Sequence, residues 1–357
     1  MKTMTRFGAV ERMASASAVA VTLALLLTEP AHAAEIWLRA ATLDLAMPDG
    51  TVVPMWGFAR DSAFGAHDGT PSVPGPELRL APGDASLIVH LENDLDVPVS
   101  FVLEGQALDQ PGTPVRNPDG RVRSFTHETP AGNAAPVDYA FTVAPGTYLY
   151  HSGAHVAVQV QMGLYGAAVR ETPATRSARR RAGAPGDVTV LFSEIDPDLH
   201  QAVASGDYGP GKTVTSTLRY LPRFFLINGL PFAPGASAPA PLAAGPAGRP
   251  LVVRLLNAGL QTRVPQILGL PLTITAEGGH TLAHPKEQLS VILPALGTAE
   301  ARVTAPANGS FPVYDRRLAV SNGPDAPGGM LRYLEFSTPP RAAVRPPRSA
   351  SGALRRR

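Results

Sequence analysis

The chain contains no cysteine. That single absence excludes disulfides, thiol nucleophiles, thiolate zinc sites, iron–sulfur clusters and any blue copper centre, which needs a cysteine sulfur. Charged side chains are scarce too, at 17% of 357 residues, which argues against coiled coils and long solvated helices. No Gly-x-Ser-x-Gly elbow occurs, so no case for a hydrolase triad arises. Proline and glycine, by contrast, are abundant. With 37 and 34 copies they make up a fifth of the chain, against a usual ~12%. Many short strands broken by tight turns are the expected result.

The overall charge is +2, but its placement matters more than its size. The first 33 residues carry +1 and the last seventeen carry +6, which leaves −5 for the body between them. Arg341, Arg345, Arg348, Arg355, Arg356 and Arg357 supply the basic end with no acid among them. The basic character therefore belongs to a tail, and nucleic-acid binding by the body is not expected.

At the N-terminus Lys2, Arg6 and Arg12 precede an apolar run from Ala14 to Leu27, and Glu29-Pro30 breaks it. Ala31-His32-Ala33 then offers small residues at the −3 and −1 positions of a cleavage site. This order reads as a signal peptide over 1–33, cut after Ala33, with a periplasmic or secreted product. The run is shorter than the ~20 residues a membrane span needs, and no transmembrane segment is expected in the mature chain.

Beyond Glu35 the sequence reads as strands. Runs at 77–80, 86–92, 98–103, 139–143 and 147–150 are β-rich and bounded by turn residues such as Pro82-Gly83-Asp84 and Pro145-Gly146. An arginine-rich stretch at 172–187 suits a solvated linker. A second set follows at 187–194, 224–228, 251–256, 272–276, 288–293, 300–304 and 331–336. Within it, Pro231 to Pro250 reads as one long loop, and the tail after 338 as unstructured. The expected architecture is all-β, with Greek-key sandwiches over residues 34–171 and 188–338.

Several runs then resemble one family in order. Val73-Pro74-Gly75-Pro76-Glu77-Leu78-Arg79-Leu80-Ala81-Pro82-Gly83-Asp84 is similar to the opening of the first cupredoxin domain of multicopper oxidases. Ala144 to Ser152, and Met162-Gly163-Leu164-Tyr165-Gly166, resemble that domain's second copper motif. Leu226-Ile227-Asn228-Gly229, Val253 to Gly259 and Leu272 to His280 resemble the family's middle domain. The resemblance spans roughly 45–338 and implies two tandem cupredoxin-like domains. It also implies copper as the cofactor, and the departures bear on that. The family's His-x-His-Gly motif is matched here by Val102-Leu103-Glu104-Gly105, and its His-Ser-His motif by His151-Ser152-Gly153-Ala154-His155. The closing His-Cys-His loop finds only Phe311 to Arg317, running on to Gly328-Gly329-Met330. A self-contained oxidase with four coppers is not expected.

His151 and His155 form the best remaining metal candidate, because imidazole suits copper. On a straight strand they would stand about 13 Å apart, at ~3.3 Å per residue, so a bend through Ser152-Gly153-Ala154 is required. His127 is the leading third ligand. The plainer alternative is that these rings bond to loop backbone as relics of a copper scaffold. His280 and His284 read as exposed loop residues, His90 as a strand histidine, and Gln159 and Gln161 as the polar face of a strand. Two function classes follow. One is a copper-free binding module with an envelope protein or another copy of the chain as partner. The other is a copper-binding protein or oxidoreductase whose site is incomplete or shared between subunits.

Overall fold

The computed structural model describes residues 33–337 apart from 133–134, 174–175, 178–185, 236–237 and 323–327. The expected signal peptide, most of the linker and the tail lie outside the described residues. Among those that are described, no helix is long and apolar enough to cross a membrane.

The first domain contains β1 (Ala33–Ala46), β2 (Val52–Asp61), β3 (Leu78–Leu80), β4 (Ser86–Asn93) and β5 (Val102–Leu103). After a small hairpin of β6 (Val115–Arg116) and β7 (Val122–Ser124) come β8 (Val137–Thr142) and β9 (Gly146–His151). Helix α1 (Val156–Met162) then leads into β10 (Tyr165–Arg170). One sheet has the order β2-β1-β4-β8 and faces a second of order β3-β10-β9-β5. Alternation decides which side chains meet between them. Leu87, Val89 and Leu91 point inward with no exposed surface, while Ser86, Ile88 and His90 face outward. They pack with Phe58, Phe101, Leu103, Phe141 and Tyr150, and each such burial contributes roughly 1.5–3 kcal/mol.

The second domain holds β11 (Asp187–Ile195), helix α2 (Pro197–Ala204), β12 (Phe224–Ile227), β13 (Leu242–Gly245), β14 (Leu251–Asn257) and β15 (Pro265–Ile267). It continues with β16 (Leu272–Glu277), β17 (His280–Gln288), β18 (Thr298–Val303), β19 (Gly309–Asp315) and β20 (Leu331–Phe336). Its sheets have the orders β12-β11-β14-β18-β16-β17 and β13-β20-β19-β15. Phe192, Val253, Leu255, Ile274, Val313 and Phe336 are among the core residues between them.

The two domains repeat one plan. In each, the opening strand runs parallel to a later one, β1 beside β4 and β11 beside β14, with antiparallel neighbours outside. Both parallel partners end in a buried asparagine. Asn93 donates to the carbonyls of Val97, Thr129 and Pro130 and accepts from Leu95 N–H. Asn257 donates to Gln261, Leu293 and Pro294 and accepts from Gly259 N–H. Each amide thus ties a strand end to two loops that would otherwise bury free carbonyls.

Three local expectations are corrected. The Pro231–Pro250 loop contains β13, which pairs with β20. His280 and His284 lie on β17, the exposed edge strand of the six-stranded sheet, rather than in a loop. Gln159 and Gln161 belong to α1 and are buried. Their polar ends are satisfied across the fold, which frees the alternating run to coil: Gln159 donates to Pro98 O, and Gln161 accepts from Tyr220.

The domains are joined by apolar and ionic contacts. Leu149, Tyr165 and Ala167 of the first meet Leu191, Leu256 and Ala258 of the second. Arg254 bonds Asp187 and Glu300 within the second domain and reaches Thr147 Oγ1 and Glu171 Oε1 of the first. Arg79 of the first domain reaches Asp187 at 2.9 Å.

Candidate functional site

The strand ladder positions His151. It closes β9, opposite Val102, and Glu104 continues from β5 with its N–H donating to Leu149 O. This register sets the Glu104 carboxylate on the ring, with Oε1 2.8 Å from Nε2. The other nitrogen, Nδ1, lies 2.8 Å from Ser152 O. His151 is 2% exposed, while the Glu104 side chain is 39% exposed. The hydrogen bond and charge of His151 hold the Glu104 carboxyl below the usual carboxylate range, against a smaller upward push from burial.

The two other sequence candidates lie on the segments that follow β7 and β9. After His151 the chain stays bonded outward rather than bending back: Ser152 N–H donates to Leu164 O, and Ala154 bridges to Ser124. His155 takes the N-cap position of α1 at φ 40°, with its N–H on Arg123 O and its side chain exposed. His127 stacks on Tyr139, ring centroids 4.4 Å apart, with Nε2 3.1 Å from Asp138 O. It lines an open groove of about 630 Å³ with Pro98, Pro114, Arg116, Arg123 and Pro130. Among the described residues no group of three or more His, Asp or Glu is gathered that could hold a metal. The segment after His151 is held by backbone bonds to Leu164, Ser124 and Arg123.

In the second domain the Phe311–Arg317 stretch ends in a buried ionic cluster. Asp315 closes β19 and accepts from Arg263 at 3.1 Å and from Val264 N–H at 2.8 Å. The same guanidinium bonds Glu194 on β11, whose other oxygen accepts from Gln261 N–H. All three side chains are at most 1% exposed. Asp315 is thus a buried member of an ion pair, not a surface group. Arg316 and Arg317 do face the surface, bonding Ser290 Oγ and Thr262 O.

Several residues escaped the sequence reading. Glu104 was legible only as the residue standing where the family has its second histidine. Arg263 and Glu194 carry no local signal. His200, fully buried on α2, donates from Nδ1 to Pro54 O of the first domain, and burial pushes it down to about 4, so it is neutral. Gly206 to Thr213 also carries the Gly-x4-Gly-Lys-Thr spacing of a phosphate loop. That run follows α2 and leads only to a short turn at Thr217–Arg219, so the strand–loop–helix setting of a phosphate cradle is missing.

Comparison with known proteins agrees with this fold. Residues 69–174 match the model of the multicopper oxidase family. The blue copper oxidase from Nitrosomonas europaea superposes with a TM-score of 0.66 at 18% identity, over 85% of this chain and 86% of that one. The multicopper oxidase mgLAC gives 0.67 at 19% identity, over 86% and 87%. The copper nitrite reductase of N. europaea gives 0.61 at 19% identity, over 86% of this chain and 94% of that one. No curated protein sequence matches the chain. Copper is what such relatives imply, yet the residues present do not fit a copper set. There is no thiolate, and His151 already has an oxygen at both nitrogens. Residues 69–174 thus match the multicopper oxidase family, and the described chain shares the fold of solved copper oxidases while holding no cysteine for a blue copper site.

Proposed function

We propose that this chain is an exported cupredoxin-fold protein that keeps the scaffold of its superfamily, runs no oxidase chemistry by itself and acts as a binding module. One observation carries the reading: a chain without cysteine has no electron-entry copper, and its one in-place motif histidine is bonded to Glu104. The charged, apolar and small-residue order before Ala34 supports export. The partner is an envelope protein or a second copy of the chain.

Metal analysis of the protein purified from the cell envelope tests this, together with its N-terminal sequence and its oxygen consumption after copper loading. The expected result is a chain that begins at Ala34, carries substoichiometric copper, shows no intense blue absorption and consumes no oxygen with phenols. Stoichiometric copper or copper-dependent oxygen uptake would overturn it. That outcome would favour the second class, a single copper held by His151 and His155 with His127 or another subunit completing the shell.

A further inference from the structure

Both nitrogens of His151 face groups that accept hydrogen bonds. Ser152 O is a carbonyl and can only accept, so Nδ1 must carry a proton. Glu104 Oε1 stands at 2.8 Å from Nε2, and an ionised carboxylate also only accepts. Two lone pairs cannot share that distance without a proton between them. We propose that Glu104 closes His151 to metal: Nε2, the nitrogen that would offer its lone pair to an ion, holds a proton and donates it to the carboxylate. The former copper position in this domain is thus an imidazolium–carboxylate pair formed within the chain.

The surroundings support the assignment. A buried imidazolium is expensive without a counter-charge, and Glu104 supplies one from a position that water still reaches. The depressed Glu104 carboxyl agrees with an ionised partner. The neighbouring hydroxyls and amide are spent on each other: Ser100 N–H donates to Ser152 Oγ, which donates to Gln159 Oε1 at 2.5 Å. Among the described residues no group of three or more His, Asp or Glu is gathered to complete an ion's shell. The second domain shows a parallel arrangement, where the stretch comparable to the family's closing copper loop ends in Asp315, bonded to Arg263.

The test is nitrogen NMR of the uniformly ¹⁵N-labelled full chain at neutral pH, with His151 assigned by its loss in His151→Gln. Both ring nitrogens of His151 should give protonated-type shifts, and one equivalent of Cu(II) should leave them unbroadened. In Glu104→Gln the new amide can donate to Nε2, so the ring should revert to a neutral form protonated at Nδ1 alone. An unprotonated Nε2 in the wild-type chain would overturn the proposal, as would wild-type broadening by one equivalent of copper. If Glu104→Gln folds with both nitrogens still protonated, Glu104 is not the cause and the proposal also falls. Should that variant not fold, the wild-type spectrum decides alone. The readout is independent of any binding partner, so the ion pair can fail while the binding role stands, and the reverse.

Discussion

Replacing Arg263 with methionine would remove the guanidinium that now joins Glu194 to Asp315. Methionine fills much of the same volume, so the main loss is charge rather than packing. Glu194 keeps its bond from Gln261 N–H, and Asp315 keeps those from Val264 and Arg317 N–H. Both carboxylates, however, have side chains with no exposed surface. Removing one partner of a buried pair costs about 3–5 kcal/mol, because a charge is left without compensation. At roughly 2–4 °C per kcal/mol for a unit of this size, the thermal midpoint should fall by about 6–20 °C. Burial without a counter-charge favours the protonated acid, so the deficit should shrink as the pH is lowered. Far-UV circular dichroism in urea, at several pH values, measures this across both domains; Trp37 and Trp56 both lie in the first domain, so tryptophan fluorescence reports that one alone. Adding Asp315→Asn to Arg263→Met should restore part of the loss. A single variant within about 1 kcal/mol of wild type at neutral pH, or a deficit that does not change with pH, would refute the reasoning.

Two other perturbations test the domain junction. Burial holds folded His200 near 4, against about 6.5 when unfolded, so only the unfolded chain takes up a proton between those values. Its contribution is full above pH ~6.5 and is lost as the pH falls toward 4; the wild-type advantage over His200→Gln should drop by about 3 kcal/mol across that window in urea titrations, at 1.36 kcal/mol per pKa unit, and a parallel pair of curves would contradict it. Gly229 has φ 75° in the Asn-Gly turn after β12, and a Cβ there would come within 1.8 Å of Val73 O in the first domain. Gly229→Ala should therefore destabilise by more than the ~1 kcal/mol of an ordinary left-handed alanine, read as a lowered midpoint in differential scanning calorimetry; an unchanged midpoint would show that the junction yields.

The all-β class, the two-domain plan and the lack of any thiolate centre were legible in the residue order alone. Strand alternation such as Leu87-Ile88-Val89-His90-Leu91 and turns such as Asn228-Gly229 are local, so a short window suffices to read them. Local pattern failed where distant groups outweighed it. Val156 to Met162 alternates like a strand, yet it coils because Ser152, Pro98 and Tyr220 satisfy its glutamines. The fate of the histidines was decided in the same way. His151 was visible as a motif residue, but its partner Glu104 stands 47 positions away and meets it only because β5 pairs with β9 in one register. Arg263 and Glu194 are 69 positions apart, and neither belongs to a motif. Which residues a sequence contains settles which chemistry is excluded. Which of them share a proton or a charge depends on strand register, and only the folded sheets decide that.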